Sequence, residues 1–526
     1  MEDRIGLEGQ TSSCKIVKIL GSESNVHGVS KIAKARSTPR RIFWIILVVL
    51  AFITATFQIV SVVKKYVTYP VVKVVNKSRK SQVAFPALTL CNTNPTSMTK
   101  INQVILNNTD VLAWFQFIQT ANVGEIKTKL QSHQAFYENF PMVDIGHSFD
   151  DLVLSCRFNN ADCGMQNFSS HFDGTTYFNC FTFTGSTNQM QAGIDHGLSL
   201  ILSTGDRSPQ QPGSYGVYDI TNPSSYGLGI RAQIHSPDTP PIPIYQGFDV
   251  PSGYSLNVGL TASLHTTLPF PYGECSTSKN QTDKNAVIIC LQQCQQDILI
   301  KKCGCKTSAL PDAHNSNVPF CLNIKNWRSQ PDLFQGKDEV HLEMIECERQ
   351  VMKEINKDRS YEDRCECYEP CKETSYDQSI SMLYWPEEFY QFSLLETLSM
   401  KAKHSSELVK EAFDTLNSTL QKYTDYLSQG IEVEYDINDQ IKLARASKII
   451  RQNFMRLNVY FQDLRVTEYT QIPTYSMASL LSDIGSVMIL WLGFSMLSFI
   501  EMFELIMVLI MHLFKSHLYI LGNKSG

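Results

Sequence analysis

The chain has 526 residues, 43% of them hydrophobic and 18% charged, with a formal net charge of −5 and fifteen cysteines. That length exceeds what one ordinary core needs, so several structural units are expected, and the composition is that of a folded chain and not a disordered one. The acidic balance gives no basic footprint for nucleic acid, which is not expected as a partner. In chain order, the first element is a cytoplasmic N-terminus over residues 1–41. Lys31, Lys34, Arg36, Arg40 and Arg41 stand before an uncharged run from Ile42 to Val63 that Lys64 and Lys65 close. At ~1.5 Å per residue this run covers the ~30 Å hydrocarbon core of a bilayer. The basic flank favours a cytoplasmic N-terminus, although Lys64 and Lys65 weaken the contrast. No small-residue cleavage site follows, so the run over 42–63 reads as an uncleaved signal anchor.

The segment 64–476 carries the marks of an extracellular domain. Fourteen of the fifteen cysteines fall between the two apolar runs, and only Cys14 precedes them. An even set confined to one segment is what an oxidising compartment leaves. Five Asn-x-Ser/Thr sequons, at Asn76, Asn107, Asn167, Asn280 and Asn417, lie in the same segment and are candidate glycosylation sites. From Lys64 to Asp483 the chain is acidic, at about −9, which draws cations and also simply solubilises a surface.

Within it, Phe85 to Cys91 reads as a buried strand. Residues 101–140 have a helical pattern, with Leu106, Val111, Phe115 and Ile118 at spacings of three to five. From Asp173 to about Leu268, Gly, Pro, Ser and short β-branched runs predict a sheet with long turns. Cys275 to Cys371 is so dense in cysteine that disulfides must carry its stability. Pro386 to Gly430 reads as amphipathic helix, with Pro386 near its start. Leu457, Val459 and Phe461 alternate, and Leu464 and Val466 resume one residue out of phase, as in a strand with a bulge. The fold class expected is an α+β membrane protein with a β core and peripheral helices.

The second apolar run, Ile484 to Ile500, continues past Glu501 and Glu504 to Phe514, giving a second span over 477–514 and a cytoplasmic C-terminus over 515–526. Two spans place both termini inside. Gly485 and Gly493 let neighbouring helices or ions approach the backbone closely. Acids in lipid are costly and should face protein or water. Asp483 and Glu501 are 18 positions apart, five whole turns, so they share one face of a continuous helix, and Glu504 lies a turn beyond. Acids at both ends of an apolar run suit a cation pathway. Asp483 equally suits a marker of the membrane boundary.

Several motifs recur in a fixed order: His27-Gly28, Phe85-Pro86 with Cys91-Asn92, Pro271-Tyr272-Gly273 before Cys275, and Cys303-Gly304-Cys305. Cys365-Glu366-Cys367 then leads to Pro370-Cys371 and Tyr376, and Asp483-Ile484-Gly485 is followed by Gly493-Phe494-Ser495. In this order and spacing the chain resembles the degenerin/epithelial sodium channel family, which includes the acid-sensing channels. Gly21 to Gly28, Ala135 to Asn139, Phe172 to Gly174, Tyr177 to Phe183 and Trp385 to Tyr390 resemble most the invertebrate sodium channels opened by the neuropeptide FMRFamide.

The resemblance implies a trimer in the plasma membrane (a homotrimer is expected), a hand-shaped ectodomain, sodium as permeant ion, amiloride block, and neither a cofactor nor an enzyme activity. Carried over by position, Gly493, Phe494 and Ser495 form the selectivity filter, a break in the helix lined by backbone carbonyls, and Ser482, Asp483, Gly485 and Ser486 the gate. Most relatives have glycine where Ser486 stands. His27, Gly28, Glu501 and Glu504 belong to the inner pore. Tyr272, with Tyr66 or Tyr69, couples the ectodomain to the pore; the same tyrosines also suit an interfacial aromatic belt. The family pattern implies the pairs Cys91–Cys180, Cys156–Cys163, Cys275–Cys371, Cys290–Cys367, Cys294–Cys365, Cys303–Cys347 and Cys305–Cys321. Zinc is the rival reading of such clusters, and outside the cell disulfides are preferred, so no metal is expected.

FMRFamide carries an amine, an arginine and an amidated end with no compensating carboxylate, so its site should pair carboxylates with aromatic pockets. Phe115, Phe117, Phe136, Tyr137, Glu138, Phe140, Asp144, Asp150, Asp151 and Asp173 supply that chemistry within 101–185. An ATP-gated channel shares the two-span plan, but the clustered cations a triphosphate needs are missing. A non-channel receptor leaves the acids of the second span unexplained. Proton gating and constitutive opening remain as alternatives, because carboxylate pairs that share a proton sense acid.

Overall fold

A computed structural model of the chain describes residues 28–97, 100, 146–173, 176–185, 188–205, 227–237, 239–277, 284–307, 309–311, 317–321, 339–358, 360–387, 390–391, 393–394, 407–430, 436–493, 495, 500, 503, 507 and 511. The chain divides into two compact units. One comprises Met1–Lys73, Phe270–Tyr272 and Gln471–Gly526, and the other Val74–Pro269 and Gly273–Thr470.

The first unit begins with a short helix α1 (Val29–Lys34) that Gly28 starts from a left-handed backbone, φ 87°. Helix α2 (Thr38–Val67) follows, with Ser37 at its N-cap and proline in its first turn, where a missing N–H is harmless. Among the described residues, α2 is the one helix long and apolar enough to cross a membrane.

The second unit is built on two facing sheets. Its strands are rich in β-branched and aromatic residues, as expected of pleated, half-buried surfaces. The larger sheet contains β1 (Val71–Arg79), β4 (Val153–Phe158), β5 (Ala161–Asp162), β9 (Leu198–Ser203), β12 (Tyr254–Thr266), β13 (Lys372–Tyr384) and β14 (Phe454–Pro473). Its order is β13-β12-β14-β9-β4-β5, with β1 also paired to β14. The smaller sheet contains β3 (Ala87–Asn92), β6 (Phe168–Asp173), β7 (Phe178–Phe183), β10 (Gly229–His235) and β11 (Phe248–Pro251) in the order β11-β10-β3-β7-β6. A two-residue pair, β2 (Val83–Ala84) with β8 (Asn188–Gln189), completes the strands described.

Inward side chains of both sheets share one core. Leu88, Leu90, Phe183 and Ile230 of the smaller sheet pack in the same cluster as Leu200, Val258, Leu457 and Phe461 of the larger. Phe85 sits among Phe158, Phe183 and Phe461 at centroid distances of 4.9, 6.3 and 5.9 Å. The strand expected over 85–91 is β3, buried at every position. The phase shift in the last strand also has its structural form. β12 and β14 run parallel in register to Leu260↔Phe461 and resume at Ala262↔Val466, so β14 carries extra residues at the slip.

Helices α3 (Lys284–Cys303) and α4 (Glu339–Lys357) pack around Leu299, Val351, Ile355 and Tyr361. That core is small, and disulfides supplement it. The amphipathic pattern seen over 386–430 includes α5 (Glu407–Ser428), which pairs with α6 (Ile437–Asn453) around Phe413, Leu416, Ala446, Ile450 and Phe454. The helical residues expected over 101–140 lie outside the described residues.

The first unit resumes with α7 (Met477–Leu492), apolar but shorter than α2. Ser476 caps it by accepting from the Ser479 N–H at 3.1 Å. It ends at Gly493, whose φ of 66° is left-handed and whose N–H donates to Ile489 O at 3.0 Å. The expectation of one continuous helix from Asp483 to Glu501 is therefore corrected. A left-handed residue stops the 3.6-residue period, and a shared face no longer follows from the spacing.

Candidate functional site

At the start of α7, Asp483 is half-buried while Ser482 and Ser486 are exposed. The Tyr475 hydroxyl donates to Asp483 Oδ2. Tyr475 is itself buried, and burial together with that carboxylate holds its phenol up at about 12, so the hydroxyl stays a donor. The Ser486 hydroxyl donates back to Ser482 O at 2.8 Å, the usual resort of a serine inside a helix. Among the described residues, a Cβ placed on Gly485 would meet nothing within 4 Å.

Tyrosines extend from this carboxylate in an unbroken series within the same unit. Tyr475 touches Tyr66 at 6.4 Å, Tyr66 touches Tyr69 at 5.6 Å, and Tyr69 touches Tyr272 edge-on at 5.2 Å. Lys65 Nζ lies 4.9 Å above the Tyr475 ring, and Thr474 N–H donates to Pro70 O at 2.8 Å. Tyr69 has a left-handed φ of 45°, an uncommon and strained state for a bulky residue. Phe270–Tyr272 clusters with this unit although the chain on both sides of it belongs to the other. The three tyrosines singled out from the sequence are thus brought together. Tyr475, which joins them to Asp483, was missed, because a tyrosine just outside a span reads as interfacial belt.

Gly28 packs its backbone on α2, where a Cβ would come within 2.5 Å of Val48 Cγ2. His27, Phe494, Glu501 and Glu504 lie outside the described residues, and Ser495 is exposed.

Of the residues proposed to meet a peptide, Phe115, Phe117, Phe136, Tyr137, Glu138, Phe140 and Asp144 also lie outside the described residues. Asp150 is exposed, and Asp173 ends β6. Asp151 is engaged internally: it accepts from Ser148 N–H at 2.7 Å and Ser148 Oγ at 2.6 Å, with Lys100 Nζ at 3.5 Å. Burial pushes its carboxyl up, but Ser148, Lys100 and His147 outweigh this and hold it below the usual range. His147 is 1% exposed. Burial brings its imidazole down to about 4 despite Asp151, and Lys100 adds to the lowering.

Seven disulfides join Cys91–Cys180, Cys156–Cys163, Cys275–Cys371, Cys290–Cys367, Cys294–Cys365, Cys303–Cys347 and Cys305–Cys321. The first links strands at facing positions, Cys91↔Cys180 in the β3–β7 register. Four brace the region of α3 and α4. Among the described residues no cluster of His, Cys, Asp and Glu is arranged to hold a metal ion. Asn76 and Asn417 are exposed, Asn167 is half-buried, and Asn107 and Asn280 lie outside the described residues.

Disulfides throughout an α/β unit, and apolar helices of which one has an acid near its head and a left-handed glycine at its end, are features of a membrane channel subunit. A family model described as amiloride-sensitive sodium channel matches residues 20–505, and the chain belongs to that family of ion channels, not to an enzyme family. It is 38% identical over 522 residues, 94% of this chain and 83% of the relative, to the FMRFamide-activated amiloride-sensitive sodium channel of Cornu aspersum. Acid-sensing ion channel 1A of Danio rerio is 24% identical over 93% of this chain and 87% of its own. Acid-sensing ion channel 1 of Gallus gallus is 23% identical over 94% and 84%.

Proposed function

We propose that the chain is one subunit of a homotrimeric sodium channel of the plasma membrane, opened by an amidated peptide of the FMRFamide type and blocked by amiloride. One observation carries the ligand class. The relative named as FMRFamide-activated is 38% identical along 94% of this chain, against 24% and 23% for the acid-sensing relatives. The spans are 42–63 and 477–514, with both termini cytoplasmic.

Gly493, Phe494 and Ser495 are the filter. A helix C-terminus presents carbonyls with partial negative charge, which suits a cation shedding part of its water. The left-handed turn at Gly493 ends α7 at this point. Ser482, Asp483, Gly485 and Ser486 form the gate, and His27, Gly28, Glu501 and Glu504 the inner pore. The tyrosine series from Tyr272 through Tyr69, Tyr66 and Tyr475 carries ectodomain movement to Asp483. The trimer is supported, among the described residues, by the open space around Gly485 and by the outer edge of β13, where Ile380, Met382 and Leu383 are exposed. Large apolar residues on a free strand edge are covered in a stable assembly. The peptide site lies within 101–185.

Gly493→Ala tests the filter. A non-glycine residue in the left-handed region costs ~1–2 kcal/mol, so the turn is displaced. Reversal potentials with sodium outside and potassium inside should show a lower sodium preference at unchanged surface expression. An unchanged preference would remove these residues from ion selection.

A further inference from the structure

Hydrocarbon offers no hydrogen bonds, so a side-chain amide inside a span is costly unless it finds a partner. Gln58 is such a group, set within the uncharged run of α2. Its Oε1 accepts from Trp491 Nε1 at 2.9 Å, a hydrogen bond between the two apolar helices of the first unit.

Trp491 is placed unusually for its type. Tryptophan in membrane helices favours the interface, yet Trp491 lies 14 residues past Met477, about 21 Å along the helix at the usual rise. Its ring N–H there needs an acceptor. Trp491 also occupies the last turn of α7, two residues before the left-handed Gly493. A bond to Trp491 therefore fixes the helix end from which the filter turn departs. The last carbonyls of a helix have no partners within it and are the part of a helix most free to shift.

We infer that Gln58 and Trp491 form an inter-span latch that sets the filter's geometry, with Gln58 a positioning residue for ion selection that acts through Trp491. The inference rests on the reading of Gly493 to Ser495 as the filter. Breaking the latch leaves the ion-lining groups in place but lets the end of α7 move, so sodium is preferred less strongly over potassium. A merely stabilising hydrogen bond would lower the amount of channel and leave that preference alone.

The test uses the full chain, FMRFamide as the activating probe, and the sodium-to-potassium permeability ratio from reversal potentials. Gln58→Met keeps length and removes the acceptor; Trp491→Phe keeps an aromatic ring and removes the donor. Each is expected to lower the ratio about threefold, the scale an average inter-span hydrogen bond supports, and the double variant no further. Gln58→Glu retains an acceptor oxygen at the same reach and is expected to keep the current and the wild-type ratio. If Gln58→Met gives no current, Trp491→Phe carries the same comparison from the donor side. Wild-type ratios in both single variants, additive losses in the double variant, or failure of Gln58→Glu together with Gln58→Met would overturn the latch. Ser495→Ala separates the two readings. A shift there with Gln58→Met inert removes the latch and keeps the filter, whereas no shift in any variant removes both.

Discussion

Asp483 and Tyr475 act as one group, because the phenol, kept protonated by burial and by the carboxylate itself, is committed to it as donor. Tyr475→Phe and Asp483→Asn should therefore shift the peptide concentration for half-activation in the same direction, and the double variant should shift it no further. Independent, additive shifts in dose–response recordings would separate the two residues. His147 is a different case, since it is buried and neutral. Its folded value is about 4 against an ordinary 6.5. Between these values the unfolded chain takes up a proton that the folded chain refuses, so stability falls as pH drops, by about 2 kcal/mol at pH 5. Asp151, held below its ordinary value, loses its own contribution only at still lower pH. Thermal unfolding of purified channel should show a lower melting temperature at pH 5 than at pH 7, with a smaller difference in His147→Asn. Equal differences in both proteins would remove His147 from the cause.

Elements differ in how much they owe to burial and how much to cross-links. The facing sheets have a large apolar core, whereas α3 and α4 share a small one. Cys303–Cys347 closes a separation of 44 residues and Cys156–Cys163 only 7. Loop entropy assigns them roughly 4 and roughly 2 kcal/mol. Replacing both cysteines by serine should reduce surface expression severely at 303/347 and mildly at 156/163, read by surface biotinylation. The reverse order would mean that the small helical core suffices.

Legibility in the sequence follows the same division. β3 was readable because it is a mostly apolar run, and the slip in β14 because a period of two leaves a visible mark when it is interrupted. The pairing of the cysteines came from resemblance alone, since spacing leaves many pairings open. At the end of α7 only the resemblance placed a break; spacing and hydropathy read a continuous helix, because apolarity passes unbroken through Gly493 and the left-handed backbone that stops the helix has no counterpart in hydropathy. The Gln58–Trp491 bond was invisible for a related reason, because polar pairs within spans are fixed by packing and not by period.

At the scale of the whole molecule, one apolar span cannot enclose a pore, and among the described residues Gly485 faces open space and Ile380, Met382 and Leu383 of β13 are exposed. Assembly and ion passage are thus one claim, and the peptide is the signal that the relative of highest identity reported above suggests. Voltage-clamp recording of this chain expressed alone tests that claim most directly, with FMRFamide applied first and acid second, and with sodium replacement and amiloride as controls. An amiloride-sensitive sodium current on peptide is expected. Current on acid with none on peptide would overturn the ligand, and no amiloride-sensitive sodium current under either condition, with the protein at the surface, would contradict the account.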